Sequence, residues 1–517
     1  MKTMKHIIWM AALALTAATW SACSSEDELT TIEQPAEQPR TFTVTTTLSP
    51  RNGGMRSTMT DVGGATGITA EWEVGDQIMV GYENTSNEFV DATATVTAVD
   101  PSTKAATITL TLIDPKNTGD IQFYYPRSYW LLTKDVNTDQ VGTLADINQN
   151  FAAITGYGKM TVSDSGVTLP TGITMEPLMC IWKFSFTDGE NDITSDITKL
   201  VIDFPKMVDM RYEVTPSSQS TIYVAIFAPF GGFSAEPVNI YAQTASGFYR
   251  KSAASVTLVG GKTYTSKDLA LKKAEVGKVF GADGNIYDNA TAATAAGTTA
   301  VAMITYVGSE NGESAPYNHG LALAMSDANS GNTCQWKTSN TDAGHTKQSG
   351  SFTTESGLQY NDATHNSDTY PAFKAAIANN STALPTGCSA WFLPSGYQWN
   401  QMINACKNVL GANNNYTDLR DGFSTRGGSN LQSGLYWSSS EYSDKGAWFI
   451  NFSAGQGHWY SHNKYRSRRE SPSLEVPRQK NAIIVLLVSE KVVLLRPRSI
   501  IQNLSSERAN ALIYGRT

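Results

Sequence analysis

The alternation of apolar and polar residues predicts antiparallel β-structure over the first half of the chain. Alanine and valine alternate with threonine at residues 91–99, and the alternation resumes at residues 106–112 after an Asp-Pro turn. Two such runs around a turn form a hairpin with one buried face. Further strand candidates are residues 42–47, 77–82, 199–203, 222–228 and 255–259. Many short strands without a long helical run predict β-sandwiches, and we expect two, over residues 41–170 and 171–271.

Helical periodicity appears in the last third of the chain. Apolar residues recur with the spacing i, i+3, i+4, i+7 from Trp399 to Cys406, and Ser395 stands where it can cap the helix. This spacing predicts that the Cys406 thiol is buried and has no chemical role. A shorter helical turn contains Pro371, and Asp368 is expected to cap it. The predicted fold is therefore mainly β, with an α+β region after two β-sandwiches.

Composition and charge argue against a nucleic-acid-binding protein. Only 17% of the 517 residues are charged, the net charge is −8, and no basic stripe is interleaved with aromatic residues. Thr, Ser, Gly and Asn are abundant, which favours strands and turns over helices. Since domains usually run to about 100–200 residues, three or four domains are expected.

The N-terminus has the features of a cleaved targeting segment. Lys2 and Lys5 precede a mostly apolar stretch, and small residues stand directly before Cys23. Residues 1–22 resemble a bacterial lipoprotein signal, which implies that the Cys23 thiol carries fatty-acyl chains such as palmitate and anchors the protein to the outer membrane. An ordinary signal with a chance cysteine is the alternative. Residues 23–40 are acidic and Pro-rich, so they are expected to form a surface-exposed tether.

Three short motifs lie in the β-rich half, namely WEVGDQI at residues 72–78, YVAI at 223–226 and GGKTY at 260–264. With the lipoprotein start, they resemble fimbrillins, the pilus subunits of fimbriated Gram-negative anaerobes. The resemblance covers residues 41–271 and implies transthyretin-like sandwiches that polymerise when one subunit donates a strand to another. An unpaired sheet edge can accept such a strand. Proteolytic processing after an arginine is also implied, with Arg56 as the candidate and Arg40 and Arg51 as alternatives.

A second set of motifs lies near the C-terminus, namely WFLPS at residues 391–395, YWSSSEY at 436–442 and AWFINF at 447–452. They resemble the C-type-lectin-like fold, in the branch shared with formylglycine-generating enzymes and with variable proteins of diversity-generating retroelements. The resemblance covers residues 277–469. It implies a small twisted sheet flanked by helices, with one face that displays ligand-binding residues.

The segment after residue 444 combines aromatic with small polar residues, which is the composition of a recognition surface. If it is a strand, Trp448, Ile450 and Phe452 face the core. The resemblance to variable proteins implies ligand contacts at the other positions, which could be diversified, with Trp459 fixed. These candidate contacts are Phe449, Asn451, Ser453, Gln456, His458, Trp459, Tyr460, Ser461, His462, Asn463 and Tyr465.

We expect no enzymatic activity, cofactor or metal. His458 and His462 have a helical metal-ligand spacing, but the glycines beside them favour a strand or loop with exposed contacts. One disulfide among Cys334, Cys388 and Cys406 is compatible with an oxidising envelope. The catalytic alternative is an enzyme of the formylglycine-generating type, which would require Cys388 and Cys406 to meet in a cleft.

Taken together, these patterns predict a cell-surface adhesin, as a pilus tip subunit that binds a protein or glycan through the aromatic and polar face of its lectin-like domain. Its partners would be other pilin subunits, the ligand and the outer membrane. A surface lipoprotein that binds a ligand without polymerising is the alternative. Residues 470–517 are richer in Arg and Leu than the domain before them, which favours a shifted reading frame over a fourth domain.

Overall fold

β-strands dominate the structure, so the expectation of a mainly β chain is confirmed. The computed structural model describes residues 39–49, 58–61, 68–125, 135–163, 165–208, 210–228, 232–314, 319–328, 334–349, 351–379, 388–407, 409–410, 415–428, 431, 435–452, 458–464 and 483–484. Cys23, Arg56, residues 1–22 and nearly all of the tether and of the tail 470–517 lie outside the described residues. The predictions made for them therefore stay predictions.

The strands and helices have the following bounds. The strands are β1 (Thr41–Leu48), β2 (Thr58–Asp61), β3 (Ile68–Glu71), β4 (Gln77–Glu83), β5 (Phe89–Val99), β6 (Ala106–Ile113), β7 (Thr118–Tyr125), β8 (Ile154–Ser163), β9 (Gly166–Thr168), β10 (Met175–Pro177), β11 (Met179–Thr187), β12 (Ile197–Asp203), β13 (Arg211–Val214), β14 (Ile222–Phe227), β15 (Phe233–Thr244), β16 (Gly247–Leu258), β17 (Thr263–Ala270), β18 (Lys272–Lys273), β19 (Val279–Gly281), β20 (Ile286–Tyr287), β21 (Ala300–Val307), β22 (Gly320–Ala324), β23 (Leu435–Ser443), β24 (Gly446–Asn451), β25 (His458–Asn463) and β26 (Ile483–Ile484). The helices are α1 (Leu144–Asp146), α2 (Ala290–Ala295), α3 (Pro371–Ala378), α4 (Gly396–Cys406) and α5 (Asn415–Thr425), with a π-helical turn at Ile147–Phe151 and 3-10 turns at Thr194–Asp196 and Leu358–Tyr360.

The first sheet confirms the hairpin predicted from the alternating residues. It has the order β1-β6-β5-β4-β7-β8-β10, with β9 paired to β8, and β5 pairs antiparallel with β6. The Asp100 carboxylate accepts hydrogen bonds from the backbone N–H groups of Ser102 and Thr103 at 2.8 and 2.9 Å, which closes the turn. Hydrogen bonds from the Ser102 side chain and from these N–H groups lower the pKa of Asp100 to about 2.

Two further sheets lie in the second part of the β-rich region, one with the order β14-β11-β17 and one with the order β13-β12-β15-β16-β18. Strand β11 contributes to two hydrophobic clusters. Met179 and Ile181 belong to the cluster of the first sheet, whereas Cys180, Trp182 and Phe184 belong to the cluster shared with the five-stranded sheet. Because successive side chains of a strand point to opposite faces, β11 contributes one face to each of the two hydrophobic cores.

The last third of the chain combines sheets with helices. One sheet has the order β20-β19-β21-β22-β26 and the other the order β23-β24-β25. Helix α4 is capped as predicted, since the backbone N–H of Gln398 donates to Ser395 Oγ at 3.2 Å and that of Ser395 donates to Gln398 Oε1 at 3.0 Å. Trp399 and Cys406 on its apolar face are both 0% exposed, so the buried position predicted for Cys406 is confirmed.

The cap predicted for α3 is wrong. Tyr370 occupies the cap position, because Pro371 is the first helical residue. Asp368 lies two residues earlier and accepts a hydrogen bond from Lys374 Nζ at 2.6 Å instead.

In the described part of the chain, no helix has the length and apolar character needed to cross a bilayer. The described residues from Thr41 onward form one compact unit, and the predicted division into two sandwiches and a lectin-like domain stays a prediction.

Candidate recognition surface

The first six residues of the YWSSSEY motif are buried. From Tyr436 to Glu441 each side chain is at most 1% exposed. Its backbone carbonyls accept hydrogen bonds from surrounding indoles, from Trp336 Nε1 to Ser438 O at 2.7 Å and from Trp399 Nε1 to Trp437 O at 3.3 Å. Buried polar groups that find their partners hold a core in one arrangement. Residues 436–441 therefore form a buried platform, and only Tyr442 at the end of the motif is exposed.

A buried ion pair holds the platform to the loop at residues 341–348. The side chains of Glu441 and Lys464 are 0% exposed and form a salt bridge. Lys464 Nζ also donates to the carbonyls of Thr341 at 3.2 Å and Asp444 at 3.0 Å, so the three N–H groups of the ammonium have three acceptors. The backbone N–H of Ala343 donates to Glu441 Oε1 at 3.0 Å. These contacts fix the position of the loop against β23.

The side chains of Phe352, Tyr442 and Trp448 lie together beside this platform, and we call them the aromatic rim. Tyr442 is 37% exposed, and Trp448 and Phe352 are half-buried. The Trp448 ring packs edge to face against Tyr442 at 5.1 Å and against Phe352 at 5.4 Å between centroids. Its Nε1 donates to the carbonyl of Gln348 at 2.5 Å. The rim therefore combines β23, β24 and the loop at residues 341–352 into one partly exposed aromatic group.

Exposed charges lie beside the loop that supplies Gln348. Lys347 Nζ forms a salt bridge with Asp342 Oδ2 at 2.9 Å and a second one with Asp444. Hydrogen bonding to Lys347 and to the backbone of Gly344 lowers the pKa of Asp342 to about 2. Since these side chains are 40–66% exposed, water screens the pairs. These salt bridges connect the loop at residues 341–348 with the turn between β23 and β24.

Phe449, predicted as a ligand contact, is a core residue, and that prediction is wrong. It is 5% exposed and belongs to the same hydrophobic cluster as Trp437. The alternation predicted that one face of the strand would be free. However, Ile450 on the other face of β24 and Phe452 just after the strand are buried in a second cluster with Trp399. Both faces are therefore covered.

The other residues of β24 divide differently from the prediction. Ile450 and Phe452 are buried as expected, whereas Trp448, expected in the core, is half-buried and belongs to the aromatic rim. Asn451 is half-buried and pairs in register with His458.

Most of the remaining candidate contacts lie on β25, whose backbone pairs antiparallel with β24. In this register Ser461 stands opposite Trp448 and Tyr460 opposite Phe449. On a strand, residues four apart are separated by about 13 Å, so His458 and His462 do not have the spacing of a helical zinc pair. Of the strand or loop expected for them, the structure has the strand. As ligand contacts, the following stay predictions: Asn451, His458, Trp459, Tyr460, Ser461, His462 and Asn463. Ser453, Gln456 and Tyr465 lie outside the described residues.

The cysteines do not form the pair that the catalytic alternative would require. Cys406 belongs to the cluster around α4, with its thiol 3.7 Å from the Thr305 carbonyl, whereas Cys388 packs against the other cluster. Cys334, Cys388 and Cys406 all carry free thiols, so the disulfide expected among them is not formed, and Cys388 and Cys406 do not pair. Burial raises the pKa of the Cys406 thiol, which keeps it protonated and unreactive.

Sequence reasoning missed Phe352, Lys347 and Gln348. They lie in a loop rich in Ser, Thr and Gly, where no periodic pattern marks one position against another. The only signal is a bulky aromatic residue at position 352 between polar neighbours.

No protein-family model matches the chain, and no curated protein matches it by sequence. Solved structures with partial likeness include a fimbrial protein from Bacteroides ovatus, with 13% identity and a TM-score of 0.33 over 84% of this chain and 100% of that one. A fimbrial assembly protein from Parabacteroides distasonis has 12% identity and a TM-score of 0.26, over 45% and 92%. A tip fimbrial protein from Porphyromonas gingivalis has 10% identity and a TM-score of 0.24, over 44% and 94%. Likenesses at this level establish neither the fold nor the function of this chain.

Proposed function

We propose that this chain is a cell-surface adhesin of the fimbrial type that binds a protein or glycan through the aromatic rim. The observation that carries the proposal is the convergence of Phe352, Tyr442 and Trp448, which are partly exposed above a fully buried platform. Aromatic side chains supply a large contact area at a small cost in conformational entropy, and Tyr and Trp are enriched among residues that dominate binding energy.

The platform prepares the rim for binding. Trp448 is held by its hydrogen bond to Gln348 and by two ring contacts, and the loop that contains Gln348 is held by Glu441 and Lys464. A binding surface that is ordered before the ligand arrives loses less entropy on association. This arrangement supports recognition rather than a structural role alone.

The fimbrial part of the proposal rests on the sequence motifs and on the β-rich region that contains them. Strand β1 directly follows the tether and forms one edge of the first sheet in the described part of the chain. Sheet edges are the places where a donated strand can pair. The proposal includes lipid attachment at Cys23, processing after Arg56 and assembly with other pilin subunits. The fimbrial proteins named above overlap too weakly to carry it.

Binding of the full chain to a glycan array and to a panel of purified cell-surface proteins tests the recognition part. Tyr442→Ala combined with Trp448→Ala should weaken any binding at least tenfold, since both rings are removed from the rim. The matched control is Tyr157→Ala, which removes a tyrosine of similar exposure (40%) on β8. Equal binding by the double variant and the control would contradict the proposed surface, and a wild-type chain that binds no probe would contradict the adhesin role.

Assembly needs a separate measurement. Ladders of oligomers on a denaturing gel, obtained after cleavage at Arg56, would support a pilus subunit. A chain that stays monomeric while it still binds a ligand would contradict polymerisation and leave a surface lipoprotein.

A further inference from the structure

Two buried histidines meet beneath the loop that supports the aromatic rim. His345 and His365 are 7% and 8% exposed, and their Nε2 atoms are 2.9 Å apart. The other ring nitrogen of His345, Nδ1, lies 3.1 Å from the backbone carbonyl of Ser439 on β23. Nδ1 of His365 lies 2.8 Å from Asp362 Oδ1. The four groups therefore form a continuous chain of hydrogen-bonding distances.

The partners decide where the protons are. A carbonyl and a carboxylate only accept hydrogen bonds, so Nδ1 of each ring must carry a hydrogen. If both rings were neutral, both Nε2 lone pairs would face each other at 2.9 Å without a proton between them. One ring must therefore be an imidazolium that donates its Nε2–H to the other.

The two rings differ in how well their surroundings accommodate a positive charge. The Asp362 carboxylate lies beside His365, where it can balance a positive charge, and its side chain is 48% exposed to water. His345 is stacked on Tyr360 at 3.7 Å between ring centroids and packs edge to face against Trp336. Burial, followed by the charges of His365, Lys464 and Lys337, lowers the pKa of His345 to about 4.

A metal ion is a poor alternative to the shared proton. Within the described ranges, no group of three or more His, Cys, Asp or Glu side chains could hold a metal. Protein zinc sites use three or four such ligands, and the two histidines supply two nitrogens only.

We propose that His345 and His365 form a pH-sensitive latch, which one shared proton closes and a second proton opens. The second proton binds Nε2 of His345, removes the acceptor of the bond between the rings and places two positive rings side by side. Repulsion between the two charged rings then separates His345 from His365, and the loop at residues 341–348 loses its attachment through these rings to Asp362. This loop contains Gln348, which accepts a hydrogen bond from Trp448, and Lys347, which pairs with Asp444. Acidification therefore weakens the contacts that hold the aromatic rim in place. The latch operates whether or not the rim binds a ligand.

Other titratable groups pack around the latch. Lys337 and Lys464 lie on the side of Tyr370 and Trp336, Glu441 pairs with Lys464, and the Tyr360 hydroxyl donates to Glu355 Oε1 at 3.3 Å. Burial raises the pKa of Glu355, so this carboxyl also titrates in acid. The test must therefore separate the histidines from their surroundings.

Hydrogen–deuterium exchange on the full chain at pH 7 and pH 4.5, corrected for intrinsic exchange rates, makes this separation. We expect the amides of residues 343–348 to lose protection more than tenfold at pH 4.5, because the open loop returns His345 to a pKa near 6.5 from about 4. In His345→Asn, whose amide can still donate to Ser439 but does not titrate, the change should be less than threefold. His319→Asn, at a half-buried histidine elsewhere, should behave as the wild type.

His365→Asn provides a second variant, since it removes the donor and the neighbouring charge. Because burial is the main cause of the lowered pKa of His345, the difference between the two pH values should become smaller than in the wild type without disappearing. Equal loss of protection in the wild type and in His345→Asn would overturn the latch. Stoichiometric zinc binding by the wild type that is lost in His345→Asn would overturn the shared proton.

Discussion

Phe449 packs edge to face against Trp437, with ring centroids 5.8 Å apart and the two residues directly opposite each other on β24 and β23. This contact turns a residue with the sequence features of a ligand contact into part of the hydrophobic core. Neighbouring aromatic residues in this short segment therefore have different roles, since Phe449 is in the core whereas Trp448 is half-buried and belongs to the aromatic rim. Aromatic content by itself does not distinguish the two.

Phe449→Ala should destabilise the chain by about 3–5 kcal/mol, because it removes a buried ring and leaves a cavity beside Trp437. The measurement is the free energy of unfolding from urea denaturation at neutral pH. Tyr442→Ala is the matched control and should cost less than about 1 kcal/mol, since its ring is 37% exposed. Similar losses in the two variants would contradict the assignment of Phe449 to the core.

Lys464→Met should destabilise the chain by about 3–5 kcal/mol, because it leaves the Glu441 carboxylate buried without its counter-charge. Adding Glu441→Gln to Lys464→Met should recover part of the loss, since the isolated charge is then removed. A double-mutant cycle in urea measures this coupling. Strictly additive losses would show that the two side chains do not form the ion pair that we describe.

The stability of the chain should fall in acid through His345. Burial lowers its pKa to about 4 in the folded chain, against about 6.5 in the unfolded chain, so the unfolded state binds this proton more readily. The contribution is therefore complete above about pH 6.5 and is lost as the pH falls toward 4, by up to about 3 kcal/mol. Urea midpoints at pH 7 and pH 4.5 should differ more in the wild type than in His345→Asn. Equal differences would contradict the neutral, buried state of His345.

Ser395→Ala should cost about 1–2 kcal/mol, because Ser395 Oγ accepts from the backbone N–H of Gln398 and donates to the Glu355 carbonyl at 2.7 Å. Ser395→Thr keeps the hydroxyl and serves as the control. Thermal unfolding followed by circular dichroism compares the two. A loss in Ser395→Thr as large as in Ser395→Ala would point to packing and not to the cap.

Local patterns in the sequence determined several elements of the fold. The alternation around Asp100 predicted the hairpin of β5 and β6, and the spacing from Trp399 to Cys406 predicted both α4 and its buried face. These features depend on residues a few positions apart, whose periodicity matches one strand or one helix. Asp368 shows the limit of such reasoning, since a shift of two residues moved the cap to Tyr370.

Only the tertiary structure decided which residues are available for binding. Separate hydrophobic clusters on the two faces of β24 bury Phe449 and Ile450, although an alternating pattern predicts one covered face. Phe352 meets Trp448 from a loop about a hundred residues earlier, and His345 reaches His365 and Ser439 from the same loop. Burial and proton sharing depend on all the groups that surround a side chain in space, and residue types read along the chain do not specify these neighbours.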